Sequence, residues 1–322
     1  MKAIVAHAFA PLDQLSYSDW PEPEATGRTV VIQADAIGVN YPDGLLVQGL
    51  YQSKPPLPFV PGMEVAGDVV AVGPEVKNFK VGDRVVALST LGAYAERVGA
   101  EEDTVMKLPA GMSGADACAL LCGYGTSHHA LKQRAQLKPG ETLCVLGAAG
   151  ATGIAAVQIG KAMGARVIAV ASSEEKRAIA KAAGADIVLG YENLKESLKE
   201  VTGGKGVDVG YDPVGGEAFD VLARGMAWNG RLLVIGFASG TIPQFPVNLA
   251  LVKGFSVVGV FWGTFTKKEP EENAANIAEL VAWHQSGKVK PVIEGIYPLA
   301  DAPAILKRVL GRGASGKIIL KP

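Results

Sequence analysis

The sequence predicts an α/β protein in two parts, a β-rich part and a doubly wound parallel sheet inserted into it. Three observations carry that prediction. Up to about residue 120 the chain reads as short β-branched runs broken by Gly, Pro and Asp. From Thr142 onward, apolar strands alternate with helical segments. After Phe261 the pattern changes again and closes on a strand, "GKIIL".

The early strands are "TVVIQADAIGVN", "VAGDVVAVG", "VGDRVVAL" and "YAERVGA". "QSKPPLPFVPG", with its four prolines, reads as an irregular surface loop. The second part offers strands at Thr142–Leu146, Arg166–Ala171, Ile187–Leu189, Val207–Asp212, Arg231–Ile235 and Ser256–Val260. Most are short and apolar on both faces, as strands covered by helices on two sides must be. Helices are expected at Ala151–Met163, Glu174–Ala183, Leu194–Thr202 and Glu217–Met226. The last strand is reached without an obvious helix. Further helices are expected at Glu271–Ser286 and Asp301–Leu310. The simplest division gives residues 1–120 and 263–322 to the β-rich domain and 121–262 to the nucleotide-fold domain.

Composition narrows the partners. The chain has 322 residues, 48% of them apolar and 20% charged, as a globular protein with a substantial core requires. Thirty-one basic side chains nearly cancel 32 acidic ones, so charge gives no reason to expect nucleic acid or an anionic membrane. No apolar run is long enough to span a bilayer. The start lacks the apolar core of a secretory leader, and a cytoplasmic location is expected. The three cysteines, Cys118, Cys122 and Cys144, have no disulfide-framework spacing and suit reduced thiols.

The stretch "LCVLGAAGATGIAAVQIGKAMGARVIAVASSEEK" carries the chemistry. Ala148-x-Gly150-x-x-Gly153 matches a dinucleotide-binding turn with its first glycine replaced. It follows an apolar strand and opens a helix of small residues. Gly150 allows backbone to approach a pyrophosphate, and Gly153 allows helix and strand to pack closely. The residues Ala148, Ala149, Gly150, Ala151, Thr152 and Gly153 therefore form the expected phosphate cradle at a helix N-terminus. An NAD site places Asp or Glu at the tip of the second strand, about 20 residues further on. Here the tip is Ala171, Ser172 and Ser173, followed by Lys176 and Arg177. Hydroxyls and a cation favour a 2′-phosphate, so NADPH is expected; Lys176 and Arg177 read otherwise as solvated helix residues.

Several stretches in one order resemble a known superfamily. "PGMEVAGDVVAVGPEVKNFKVGDRV" resembles the signature of medium-chain dehydrogenases/reductases. "GVNYPDGLLVQGLY", "GAAGATG" and "GVFWG" resemble its zinc-independent branch, the NADPH:quinone oxidoreductases. The resemblance covers nearly the whole chain. It implies a GroES-like β domain and a Rossmann domain with a cleft between them, and a homodimer formed through the sheet edge at Phe255–Val260. In the zinc enzymes of the superfamily, Cys, His and Cys hold a metal beside a Glu. The corresponding positions here are Asn40, Met63, Cys122 and Glu64, which is no donor set for Zn²⁺, and no metal is expected.

The resemblance also implies roles. Asn40 sits near the nicotinamide ribose, Tyr51 at the cleft, and Tyr41 close by; these three are the candidate catalytic residues. Some relatives have a tyrosine where this chain has Leu45, so that role does not transfer. Thr126, Tyr191, Gly236, Phe237, Phe261, Trp262 and Lys317 are candidate coenzyme neighbours. Each tyrosine, and Phe261 and Trp262, reads otherwise as packing. Without a metal the acceptor must bring its own electron deficiency, as quinones and α,β-unsaturated carbonyls do. The expected activity is hydride transfer from NADPH to such a small molecule. The alternatives are a reductase of enoyl or acrylyl thioesters or alkenals, and a non-catalytic NADPH-binding protein of the crystallin or redox-sensing kind.

Overall fold

The structure is a computed structural model that describes all residues, Met1–Pro322. The chain divides into two compact units, Met1–Cys122 with Ile293–Pro322, and Gly123–Val292.

The first unit begins with β1 (Lys2–Val5) paired antiparallel with β2 (Ser16–Asp19). Next come β3 (Thr29–Gly38), α1 (Tyr41–Val47), β4 (Glu64–Val72), β5 (Arg84–Leu88), β6 (Arg97–Glu101), β7 (Val105–Lys107) and α2 (Gly114–Ala119). The α1 segment lies in a stretch rich in Gly and Pro, yet Pro42 sits in its first turn, where proline costs no hydrogen bond. A π-helical stretch, Leu120–Tyr124, follows α2.

The second unit opens with α3 (Gly125–His129) and a further π-helical stretch, Ala130–Arg134. Then β8 (Thr142–Val145), α4 (Ala151–Ala162), β9 (Arg166–Val170), α5 (Glu174–Ala182), β10 (Ile187–Leu189), α6 (Leu194–Val201), β11 (Val207–Asp212) and α7 (Gly216–Arg224) alternate. They are followed by β12 (Met226–Val234), α8 (Asn248–Lys253) and β13 (Ser256–Gly259). All six strands run parallel in the order β10-β9-β8-β11-β12-β13. That order reverses between β8 and β11, the place where doubly wound sheets bind ligands beyond the strand ends. Cys144, Leu146, Ile168, Leu222 and Leu232 pack in its core. Two local expectations change. The short α8 precedes β13, where no helix was evident. The helix expected to reach Met226 ends at Arg224, and β12 starts at Met226 with a register shift that accommodates Asn229 at φ 60°.

The domain boundary also differs. The sequence division ended the nucleotide-fold domain at 262, but α9 (Trp262–Lys268) and α10 (Pro270–Gln285) belong to the second unit. The reason lies in their partners. Gln133 donates to Asn276 at 3.0 Å, Lys132 pairs with Glu279 at 2.7 Å, and the Trp262 indole donates to Asn273 at 3.2 Å.

The chain then returns to the first unit with β14 (Ile293–Pro298), α11 (Ala302–Leu310) and β15 (Lys317–Lys321). The sheet there runs β14-β15-β3-β4-β5-β7, with β6 also on β3. The long β3 buries Val30, Ile32 and Ile37 in a core shared with Ile4, Val65, Val85 and Ile318. Each such side chain contributes about 1.5–3 kcal/mol of burial. The β15–β3 pairing sets Ile319 opposite Gly38 and so brings Lys317 to the end of β3. No helix of the structure is long and apolar enough to cross a membrane.

Candidate functional site

In the second unit, β8 runs into the glycine-rich turn. The left-handed residue there is Gly147, at φ +59°, one position before the alanine that the fingerprint match used. Gly147 thus supplies a further glycine ahead of the Ala148-x-Gly150-x-x-Gly153 spacing. Ala148 needs no special conformation, and its N–H donates to Val170 O at 3.0 Å. A Cβ on Gly153 would overlap the carbonyl oxygen of Gly147, so only glycine lets α4 dock here. A Cβ on Gly150 would meet only that oxygen, at 3.4 Å, so packing alone does not require glycine at this position. The N–H groups of Ala151, Thr152 and Gly153 begin α4 and have no intrahelical acceptor. They form the positive end of a 12-residue helix. Tyr191 lies directly at this turn, where its hydroxyl accepts from Gly147 N–H at 2.9 Å.

The tip after β9 carries no carboxylate. Ser172 is exposed, and Ser173 caps α5 by accepting from Lys176 N–H at 3.2 Å. Lys176 is half-buried; Arg177 reaches back to Ala171 O at 3.5 Å. Gly236 and Phe237 follow β12, with Gly236 N–H donating to Asp212 O. Thr126 is half-buried in α3. Phe261 is 55% exposed, whereas Trp262 is buried against Gly125.

The first unit gathers a polar cluster that the sequence did not reveal as a group. Asn40 is the N-cap of α1, and its amide oxygen accepts from Lys317 Nζ at 2.8 Å. Lys317 also pairs closely with Glu64 Oε1, and both side chains are buried. Glu64 Oε2 accepts from Cys122 N–H at 3.2 Å. A side chain on Gly38 would overlap the Glu64 carboxylate, so glycine makes its room. Burial works against the Lys317 charge, but Glu64, together with Cys122 and Cys118, raises the pKa above the ordinary lysine value.

Asp43, one turn along α1, accepts from Asn40 N–H at 2.8 Å and from the Tyr94 hydroxyl at 2.9 Å. Burial pushes its carboxyl up to about 7, against the pull of those donors and of Lys317. Tyr94 is fully buried, and burial, then Asp43, hold its phenol well above the usual range. Tyr51 is half-buried against an apolar cluster of Ala6, Leu46 and Phe59. Its phenol is raised by burial and then by Cys122 and Asp43. Tyr41 is half-buried and raised chiefly by burial. Among the residues that sequence reasoning missed, Asp43 had a signal, because Asn-x-x-Asp is half of a capping box. Tyr94 had none.

Known proteins place the chain. An alcohol dehydrogenase GroES-like domain matches residues 26–110, and a zinc-binding dehydrogenase domain matches residues 151–281. Quinone oxidoreductase-like protein 2 homolog of Nematostella vectensis is 38% identical over 296 residues, covering 90% of this chain and 81% of that protein. The chain belongs to the quinone oxidoreductase family. Human quinone oxidoreductase, a family relative, is 34% identical over 325 residues and is covered to 97%. The Escherichia coli quinone oxidoreductase, solved in complex with NADPH, superposes with a TM-score of 0.93 at 31% identity, with full coverage of both chains.

The name of the second matching domain raises the question of zinc in this quinone oxidoreductase family member. The side chains do not fit the ion. Glu64 is engaged by Lys317, Asn40 offers an amide and Met63 a thioether, and no group of three His, Cys, Asp or Glu side chains is arranged to hold a metal.

Proposed function

We propose that the protein is an NADPH-dependent, metal-independent reductase that transfers hydride to a quinone or another electron-poor conjugated carbonyl. The observation that carries this reading is the Gly147–Gly153 turn followed by a strand tip without a carboxylate. The N–H groups that begin α4 bind the pyrophosphate, and Gly150 leaves the backbone open to it. Ser172, Ser173 and Lys176 receive the 2′-phosphate. NADPH, when bound, supplies hydride from C4 of its nicotinamide. The negative charge left by hydride addition falls on a conjugated oxygen of the acceptor. Asn40, Tyr41 and Tyr51 orient that acceptor and offer it hydrogen-bond donors; the raised phenol pKa values keep Tyr41 and Tyr51 protonated donors at neutral pH.

The protein acts as a homodimer joined at the β13 edge. Val257 is 39% exposed on that strand, and Leu251 and Val252 of α8 stand out of the same unit at 82% and 71%. Such an apolar edge favours pairing with its twin.

The test is direct. The protein is mixed with NADPH or NADH, with and without a chelator, against 1,4-quinones, enones and enoyl thioesters, and absorbance of the reduced nicotinamide is followed. Oxidation of NADPH by quinones or enones, unaffected by chelator, is the expected result. Turnover with thioesters alone moves the substrate class. Tight NADPH binding with no turnover makes the protein a binder.

A further inference from the structure

The buried pair Lys317–Glu64 is not explained by stability. Burying two charges costs several kcal/mol per ion, and apolar residues of similar volume do as well or better (about 1–4 kcal/mol in comparable cases). The fold nevertheless commits Gly38 to making room for the carboxylate and Cys122 N–H to holding it. What the pair touches explains it better. A lysine ammonium only donates, and a carboxylate only accepts. A backbone carbonyl, like a carboxylate, only accepts. The Asn40 amide oxygen accepts from Lys317 at 2.8 Å, while the Asn40 Nδ2–H donates to Gly38 O at 3.5 Å. The amide therefore has one permitted orientation. Its backbone is pinned independently by Asp43, at 2.8 Å from Asn40 N–H. The Asn40 side chain is thus locked by a cation. Two of the three ammonium donors are spent on Asn40 and Glu64.

We propose that Lys317 is a positioning residue: its ammonium is the resident cation of the site, it fixes the orientation of the Asn40 amide, and it thereby sets the geometry in which the acceptor is reduced. This inference rests on the reductase reading for its kinetic consequence, but not for the orientation itself. The inward charge also accounts for the poor fit to a metal, because the position that would attract a dication already faces an ammonium.

The test uses the full chain with K317M, and with the neutral pair K317M/E64Q, which leaves no buried charge uncompensated. In the double variant the thermal midpoint stays within about 5 °C of wild type. NADPH affinity, read by coenzyme fluorescence, stays within about twofold, while kcat falls about tenfold or more with the acceptor KM little changed. Without coenzyme or substrate, exchange of the Asn40 side-chain amide protons becomes about tenfold faster than in wild type. Wild-type kcat and slow Asn40 exchange in a folded double variant would overturn the proposal. So would a loss lying wholly in NADPH affinity, since Lys317 would then be a coenzyme ligand. If the wild type reduces no acceptor, the reductase reading fails, and the exchange measurement still decides the role of Lys317.

Discussion

Lys317 Nζ lies 2.8 Å from the amide oxygen of Asn40, although 277 positions separate the two residues. The contact exists because β15 pairs antiparallel with β3, and Asn40 follows β3 by two residues. The chemistry at the end of β3 is thus assembled by a sheet register, not by a local sequence pattern.

The two glycines of the turn separate packing from binding. Gly153→Ala forces a methyl group into the Gly147 carbonyl and should cost about 1–3 kcal/mol in denaturant unfolding. Gly150→Ala meets only an ordinary contact and should unfold like wild type. It should nevertheless weaken NADPH binding about tenfold or more, because the methyl group stands where the pyrophosphate approaches. Equal NADPH affinity in Gly150→Ala and wild type would remove the phosphate from this turn.

Asp43 gives the stability a pH dependence. Its carboxyl is raised to about 7 in the folded chain from an ordinary value of 3.8, so the folded state binds the proton more tightly than the unfolded state. Its contribution to stability is full below about pH 4 and is lost as pH rises through about 7. Asp43→Asn can still accept from Asn40 and Tyr94, and should flatten that decline. Chemical denaturation of both proteins across this window checks the difference in slope.

The coenzyme preference should follow the strand tip. On the proposed reading, Ser172→Asp sets a carboxylate beside the 2′-phosphate, and should lower NADPH affinity about tenfold while leaving NADH less affected. Ser173→Ala also removes the α5 cap and should cost about 1 kcal/mol. Titrations with both coenzymes, beside thermal melts, separate the two effects.

Charge at the β13 edge should break the dimer. Val257→Glu would set like charges against each other across a two-fold axis and should give monomer in sedimentation velocity, with NADPH binding retained. A wild-type protein that sediments as monomer at micromolar concentration would refute the pairing.

The doubly wound sheet was legible because β8, β9 and β11 are short and apolar on both faces, a pattern that surface helices do not share. Ser172 and Ser173 were legible for the same reason, since a strand end fixes its tip. Other features depended on contacts between distant segments. The periodicity of α10 marks it as a helix, but not that Asn276 and Glu279 meet Gln133 and Lys132. The α1 segment was hidden by its proline and glycine, although the Asn40–Asp43 spacing hints at its start. Glu64 and Lys317 were each noticed for a separate reason; nothing in one dimension joins them. The left-handed role of Gly147 was not legible, because the fingerprint counts spacing and says nothing of which residue takes a positive φ.

The second unit is inserted between Cys122 and Ile293, and β15 lies beyond it. A ribosome therefore finishes the entire inserted unit before it releases the lysine that completes the first one. During that interval Glu64 and Asn40 lack their cation, and the edge of β3 lacks its neighbour. The earlier-made strands must wait, hydrated or shielded, so the polar centre closes last in the life of each newly made molecule.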